Sequence, residues 1–172
     1  MYEHLDKNRK LLGVEIGVAE GLNSKRMLDE FENLTLIGID PFEGYKDWWG
    51  YVSAEYMSER EALAKENLKD HIESERFTLL KKYSDSALED LEDGKYDFVY
   101  VDGDHSYEWA LHDMNKYWNK VKDGGILCGH DRSLDGVRKA LEEFTVIIGK
   151  DFTASENPQQ DSWYIIKTGS DE

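Results

Sequence analysis

Short apolar, β-prone runs alternate with longer amphipathic segments along most of this chain, and that alternation restricts the folds available to it. The segments between the runs carry apolar residues on one helical face, as Met27, Leu28 and Phe31 do. Strands that alternate with helices pair in parallel through right-handed crossovers, so the sequence predicts an α/β fold with a doubly wound sheet. The predicted strands cover residues 11–16, 34–39, 77–80, 98–101, 126–128, 145–149 and 163–167, and the predicted helices cover residues 23–31, 53–72, 86–91, 107–121 and 134–144.

The last two predicted strands depart from this alternation. Between them lies no helical pattern, only a polar loop that contains Asn157 and Pro158. Two strands joined without a crossover helix form an antiparallel hairpin, so one strand should run against the others. With 172 residues the chain has the length of one compact domain with a sizeable core, and we predict a single domain over residues 1–172.

The formal net charge of −16 narrows the range of partners. Such a surface repels phosphate backbones and anionic membranes, so we expect neither a nucleic-acid partner nor a membrane partner. Cys128 has no second cysteine to pair with, which fits a reducing compartment. The first ten residues lack the apolar stretch of a signal peptide, and no run has the length of a membrane span. We therefore expect a cytoplasmic protein.

The first predicted strand runs into a glycine loop, EIGVAEG, at the edge of the sheet where doubly wound folds bind their ligands. Gly17 and Gly21 allow a tight turn and a close approach to a ligand, although a purely structural glycine turn has the same spacing. The G-x-x-x-G spacing differs from the G-x-G-x-x-G of dinucleotide sites. Glu15 is a poor partner for a pyrophosphate and a good partner for an ammonium group. Asn23 or Ser24 can cap the helix that follows.

Acidic residues also follow the second and third predicted strands. Asp40, which precedes Pro41, lies 23 residues after Gly17, near the spacing at which dinucleotide sites hold a ribose. Two acids at one sheet edge, without a basic residue for a phosphate, describe a nucleoside that carries an amino acid. After the third strand, Asp85 can accept a hydrogen bond from an exocyclic amine and Ser86 can cap a short helix. A helix cap alone explains this last pair equally well.

These segments resemble those of class I S-adenosylmethionine-dependent methyltransferases. The resemblance spans about residues 11–167 and is closest to a small branch with a D-G-D-H-S-Y-E segment after the fourth strand, and more distantly to catechol and macrolide-sugar O-methyltransferases. The family implies a Rossmann-like doubly wound sheet of seven strands, mostly parallel with an antiparallel last strand, in agreement with the predicted hairpin. Five motifs occur in the family's order: VEIGVAEGLNS, IGIDPF, YSDSAL, YDFVYVDGDHSYE and DGGILCGHD.

The resemblance implies a role for the residues at the strand ends. The glycine loop would frame the methionine part of S-adenosylmethionine, Asp40 would hold the ribose, and Asp102 would lie near the cofactor's amino group or the substrate. Ala19 stands where many relatives have glycine, which would narrow the loop. About ten residues precede the first strand, so another lid, a partner subunit in a homo-oligomer, or no lid would replace the N-terminal helices of larger relatives. The implied cofactor-binding residues are Glu15, Gly17, Ala19, Gly21, Asn23, Ser24, Asp40, Pro41, Asp85, Ser86 and Asp102.

Carboxylates and imidazoles follow the fourth and fifth predicted strands, and two hypotheses account for them. In the first, Asp102, His130 and Asp131 hold a divalent cation, as metal-dependent relatives do at these strand ends. Magnesium prefers oxygen ligands, so His130 would also admit manganese, iron or zinc. In the second, no metal binds and His105 or His130 is the general base, with His105 where the catechol branch carries a catalytic lysine. Asp104 or Ser106 is expected to cap the next helix.

Four aromatic residues, Tyr45, Trp48, Trp49 and Tyr51, crowd the segment after the second predicted strand. They could line an acceptor pocket, form a lid or make a dimer contact. Packing under the long helix that follows is the alternative.

The sequence thus predicts an S-adenosylmethionine-dependent methyltransferase that acts on a small-molecule acceptor, at oxygen rather than nitrogen, with Asp102, His105 and His130 as candidate catalytic residues. A divalent cation, magnesium or manganese, could assist the transfer. Two alternatives remain open: a Rossmann-like NAD-dependent oxidoreductase, which the glycine spacing and Glu15 disfavour, and a protein that binds S-adenosylmethionine without catalysis.

Overall fold

The structure, a computed structural model, describes residues 4–46, 50–155, 157 and 160–169. Helices and strands alternate through most of this part of the chain. The strands are β1 (Leu11–Ile16), β2 (Leu34–Ile39), β3 (Tyr45–Lys46), β4 (Tyr51–Val52), β5 (Phe77–Leu80), β6 (Tyr96–Val101), β7 (Val121–Gly129), β8 (Thr153–Ala154) and β9 (Trp163–Ile166), and the helices are α1 (Leu22–Glu30), α2 (Ala54–Asn67), α3 (Lys69–Glu73), α4 (Ser84–Ala87), α5 (Tyr107–Trp118) and α6 (Asp135–Ile148).

Seven strands form one sheet in the order β5-β2-β1-β6-β7-β9-β8. The pairs from β5 to β7 are parallel, whereas β9 is antiparallel to both β7 and β8. The predicted fold class is therefore confirmed, with its mostly parallel seven-stranded sheet and its antiparallel last strand. The strand order reverses between β1 and β6, and in such sheets the ligand binds at the carboxyl ends of the strands beside that reversal.

Apolar side chains cover the sheet on both faces. One core cluster joins α1 and the end of α2 to the sheet through residues such as Met27, Leu28 and Leu68. The other joins α5 and α6 to the opposite face through residues such as Met114 and Phe144. Strands such as β6 and β7 contribute residues to both clusters because successive side chains of a strand point to opposite faces. The packing on both faces fixes the positions of the strand ends, where the candidate site residues lie.

The predicted strand at residues 145–149 is wrong, because these residues continue α6. The run Thr145-Val146-Ile147-Ile148 is β-branched and favours a strand by propensity. In the structure Phe144 and Ile148 pack on the core four residues apart, while Val146 and Ile147 are 81% and 56% exposed. Gly149, with φ of 64°, ends the helix in the left-handed conformation that glycine adopts readily. The hairpin partner of β9 is instead the short strand β8.

Other boundaries also differ from the predicted ones. The long helix predicted at residues 53–72 is divided at Leu68, whose φ of −103° and ψ of 7° separate α2 from α3. The helix predicted to reach Val121 ends at Trp118, and β7 begins at Val121, earlier than the predicted residue 126. Helix α4 begins at Ser84, so Ser86 lies within the helix and the prediction that it caps this helix is wrong.

Among the described residues, no helix combines the length and apolarity needed to cross a membrane.

Candidate active site

The loop after β1 is held tightly at the reversal in strand order. Gly17 and Gly21 have φ values of 87° and 75°, and Ala19 adopts a φ of 47°, which L residues rarely do. A Cβ on Gly17 would overlap the carbonyl oxygen of Asp102, and one on Gly21 would lie 2.7 Å from Cδ1 of Leu68. Both predicted glycines are therefore required by close approaches, Gly17 to the end of β6 and Gly21 to the end of α2.

Glu15 lies at the end of β1 and is 1% exposed. Asn23 Nδ2 donates to its Oε1 at 2.7 Å, and Ser24 Oγ donates to its Oε2. The prediction that Asn23 or Ser24 caps α1 is wrong, because Gly21 occupies the cap position without a side-chain hydrogen bond. Burial, with smaller contributions from the charges of Asp102 and Asp40, raises the pKa of Glu15 to about 7, and the two hydrogen bonds oppose this increase.

Asp40 connects the end of β2 to the glycine loop. Its Oδ2 accepts hydrogen bonds from the backbone N–H groups of Val18 and Ala19 at 3.1 and 3.0 Å, and its Oδ1 accepts one from Phe42 N–H at 2.8 Å. Burial raises the pKa of Asp40, while these three hydrogen bonds oppose the increase. The structure thus gives Asp40 a role in shaping the loop, and its role toward a ribose stays a prediction.

A shallow cleft of about 330 Å³ opens beside Asp40, between the end of β2 and α4. Pro41 and Ser86, both predicted at the cofactor site, line it together with Tyr83. Asp85 is not among its lining residues, and the Oδ1 of Asp85 lies 3.0 Å from Nε2 of His112 on α5.

The end of β6 and the end of β7 bring Asp102, His105 and Asp131 together. The Nε2 of His105 lies 2.9 Å from Oδ2 of Asp131 and 3.8 Å from Oδ1 of Asp102. One ligand atom from each of the three residues lies within 4.8 Å of the others. Asp102 and Asp131 raise the pKa of His105 to about 10, and His105 in turn holds the pKa of Asp131 below its usual range.

His130, predicted with Asp102 and Asp131 as a metal ligand, lies beside this group rather than within it. Its Nδ1 is 3.1 Å from Oδ1 of Asp131, the carboxylate oxygen that His105 leaves free. Among the described residues, the donor set thus contains His105 in place of the predicted His130. Asp131 stands between the two imidazoles, so both remain candidates for proton transfer.

The loop that follows β7 is fixed by the segment that leads into β9. Trp163 Nε1 donates to the carbonyl oxygen of His130 at 3.2 Å. The carboxylate of Asp161 accepts hydrogen bonds from the N–H of Ser133 at 3.0 and 3.1 Å and from its hydroxyl at 2.6 Å. The backbone of Asp131, with φ of 55°, is therefore held in a conformation unusual for a non-glycine residue. No sequence pattern indicated Asp161, because its partner lies 28 residues away in another loop.

Two further carboxylates near β6 have different roles. Asp104 accepts a hydrogen bond from the N–H of Ser106 at 2.7 Å. The prediction that it caps α5 is wrong, because Ser106 occupies the cap position and makes no side-chain hydrogen bond there. Asp113 was not predicted in the site, yet it is 3% exposed and contacts Ser84 at the start of α4. The sequence did carry a signal for it, since Asp113 stands between Ala110 and Met114 on the apolar face of α5.

Of the four aromatic residues predicted to crowd the segment after β2, the structure describes two. Tyr45 and Tyr51 belong to the small antiparallel hairpin of β3 and β4 and are both exposed. Their exposure excludes core packing for these two side chains. Trp48 and Trp49 lie outside the described residues.

Comparison with known proteins agrees with this geometry. The model of a family described as "Methyltransferase domain" matches residues 14–132, more than half of the chain. The chain belongs to this methyltransferase family. The match includes the glycine loop, Asp40, Asp102 and the end of β7, and it confirms the resemblance to class I methyltransferases that the five motifs indicated.

Individual relatives of this chain are distant. It is 32% identical over 123 residues to an uncharacterized protein, R132, of Acanthamoeba polyphaga mimivirus; the match covers 69% of the chain and half the length of that relative. The O-methyltransferase TomG of Streptomyces achromogenes, solved with S-adenosylmethionine, aligns with a TM-score of 0.67 at 12% identity over 95% of this chain and 76% of its own. A precorrin-6y C5,15-methyltransferase of Geobacter metallireducens aligns with a TM-score of 0.62 at 18% identity over 91% and 78%. At these identities the two structures establish the fold alone.

Proposed function

We propose that this methyltransferase uses S-adenosylmethionine and transfers its methyl group to an oxygen atom of a small-molecule acceptor. The observation that carries the proposal is the buried carboxylate of Glu15, placed between a glycine loop and the strand end that bears Asp102. Among the described residues no cationic side chain pairs with Glu15, so its charge is available to a cationic ligand group. An amino acid linked to a nucleoside supplies such a group.

The residues at the sheet edge fit this cofactor along its length. Glu15 and Asp102 offer carboxylates to the ammonium group, and Gly17 lets the glycine loop pack against the backbone of Asp102 beside them. The cleft lined by Pro41 and Ser86 is open to the adenosine end. Bound S-adenosylmethionine supplies a methyl group on a sulfonium, and much of the rate of such a displacement comes from positioning the two reactants. A pyrophosphate of NAD would instead meet carboxylates, which disfavours the oxidoreductase.

We propose that a divalent cation assists the transfer at Asp102, His105 and Asp131. Two carboxylates and one imidazole, each offering a ligand atom within 4.8 Å of the others, support this assignment. One nitrogen among the donors favours manganese or another transition metal over magnesium. Such an ion would lower the pKa of an acceptor hydroxyl. With a pKa of about 10, His105 carries a proton at neutral pH, so in a metal-free mechanism His130 is the better placed base.

The cofactor is tested by thermal unfolding with adenosylhomocysteine or NAD. We expect adenosylhomocysteine to raise the midpoint in the wild type and in the control variant Glu66→Gln, whose side chain is exposed on α2. The Glu15→Gln variant should lose most of this increase. An increase with NAD alone would overturn the proposal. Binding of adenosylhomocysteine without methyl transfer to a panel of phenols, catechols and sugars would support a binding protein instead.

The metal is tested by calorimetric titration of manganese and magnesium. We expect the wild type to bind manganese more tightly than magnesium and Asp131→Ala to bind neither. The matched control is Asp135→Asn, which removes an exposed charge four residues further along the chain. Identical titrations of the wild type and Asp131→Ala would rule out the metal and leave His130 as the candidate base.

A further inference from the structure

Asp113 is a buried carboxylate that the proposed chemistry does not use. It lies on the face of α5 that otherwise packs Ala110, Met114 and Tyr117 against the sheet. Burial raises the pKa of Asp113 to about 6, against the hydrogen bond from Ser84. A buried carboxylate is expensive where an apolar side chain would pack, so its presence on this face calls for a physical reason.

The contacts of Asp113 reach two segments of the cofactor site. Ser84 Oγ donates to its Oδ1 at 2.7 Å, and the hydroxyl of Tyr117 donates to the carbonyl oxygen of Ser84 at 2.7 Å. Helix α5 therefore holds the first residue of α4 by both its side chain and its backbone. Helix α4 carries Ser86, which lines the cleft beside Asp40.

The other oxygen of Asp113 faces the turn after β6. A Cβ added to Gly103 would lie 3.7 Å from this Oδ2, in ordinary van der Waals contact, so the carboxylate lies near the turn that carries Asp102. The other charged or titratable groups that act on Asp113 are Asp85 on α4, His112 on α5 and Asp104 in the turn. Among the described residues, Asp113 has no ion-pair partner.

We propose that Asp113 is a positioning residue for the cofactor: through Ser84 it fixes α4, which lines the nucleoside cleft, at a set distance from the Asp102 turn, which borders the amino-acid end. The inference rests on the proposed function, because it assigns Asp113 to the same cofactor site. Asp113 itself does not line the cleft.

The test measures the affinity of the full-length protein for adenosylhomocysteine by calorimetry, together with the unfolding midpoint. We expect Ser84→Ala and Asp113→Leu each to weaken binding about tenfold, the effect of losing one hydrogen bond to a charged group. The double variant should be no weaker than the single ones, because both changes remove the same connection. Asp113→Asn keeps an acceptor oxygen for Ser84 and should restore near-wild-type affinity. Ser74→Ala, at the end of α3, is the matched control.

The outcomes distinguish a positioning role of Asp113 from a purely structural one. Lower midpoints with unchanged affinity in Ser84→Ala would mean that the connection is only structural and would overturn the inference. Additive losses of affinity in the double variant would overturn it as well. Ser84→Ala keeps the test decisive if Asp113→Leu fails to fold. A wild type that does not bind adenosylhomocysteine would overturn the proposed function, and the inference with it.

Discussion

Replacing Glu15 by glutamine should stabilise the fold while it weakens cofactor binding. The pKa of Glu15 is about 7 in the folded protein and 4.5 as an unperturbed side chain. The folded state therefore binds the proton more tightly than the unfolded state does. It follows that this carboxyl contributes no penalty below about pH 4.5 and destabilises the fold progressively as the pH rises toward 7.

The size of the effect follows from the two pKa values. A rise from 4.5 to about 7 corresponds to a penalty of about 3 kcal/mol once Glu15 is ionised in both states. Glutamine has nearly the same shape and carries no charge. Its carbonyl oxygen can accept from Asn23, and the hydroxyl of Ser24 can turn to accept from its amide. We therefore expect Glu15→Gln to raise the free energy of unfolding by less than about 1 kcal/mol at pH 5 and by about 3 kcal/mol at pH 8.

Urea unfolding at pH 5 and pH 8, followed by circular dichroism, measures this difference, with Glu66→Gln as the control for an exposed glutamate. The same variants are titrated with adenosylhomocysteine. Loss of a hydrogen-bonded charge should weaken binding by Glu15→Gln roughly 10- to 100-fold at pH 8. Wild-type affinity should rise from pH 5 to pH 7, since a proton must leave Glu15 on binding. A variant that is destabilised equally at both pH values would refute this account of the buried carboxylate.

Three further substitutions test the loops and α6. Gly17→Ala places a Cβ against the carbonyl oxygen of Asp102 at a φ of 87° and should lower the free energy of unfolding by roughly 3 kcal/mol or more, measured in urea; a loss below about 1 kcal/mol would contradict the close approach. Asp161→Ala removes the hydrogen bonds to Ser133 and should weaken manganese binding about tenfold in calorimetry. Equal manganese affinities of the wild type and this variant would mean that the loop does not support the metal site. Val146→Ala should raise the unfolding midpoint slightly, because alanine favours an exposed helical position by about 0.5 kcal/mol; a decrease would point to a strand at residues 145–149.

Three strands in the parallel part of the sheet could be predicted because their patterns are unambiguous. The bounds of β1, β2 and β5 agree with the predicted ranges, since each is a short apolar run that the sheet buries. At residues 145–149 the β propensity of the side chains predicted a strand, but the structure continues α6. Packing of Phe144 and Ile148 on the sheet favours continued helix over the β propensity of the intervening side chains, and that packing depends on residues far along the chain.

The sequence predicted which strand ends form the candidate site, but not which side chains contact each other there. Parallel pairing of β6 and β7 brings their ends together, so the sequence placed Asp102 and Asp131 at one rim. Which imidazole lies near both carboxylates depends on the turn after β7, where Asp131 has a positive φ. It also depends on Asp161, which accepts a hydrogen bond from Ser133 in that turn although it lies in another loop. Asn23 and Ser24 illustrate the same limit, because their sequence position suits a helix cap while their side chains bind a buried carboxylate.

The arrangement of charge at the reversal in strand order bears on the ligand itself. Glu15, Asp40 and Asp102 lie close enough that the charges of the latter two raise the pKa of the first. Mutual repulsion of this kind is relieved by a ligand that brings positive charge, and a neutral nucleoside brings none. Adenosine should therefore bind more weakly than adenosylhomocysteine, and the difference should shrink as salt is added and in Glu15→Gln. Equal affinities for the two ligands would mean that the carboxylates serve only to shape the glycine loop.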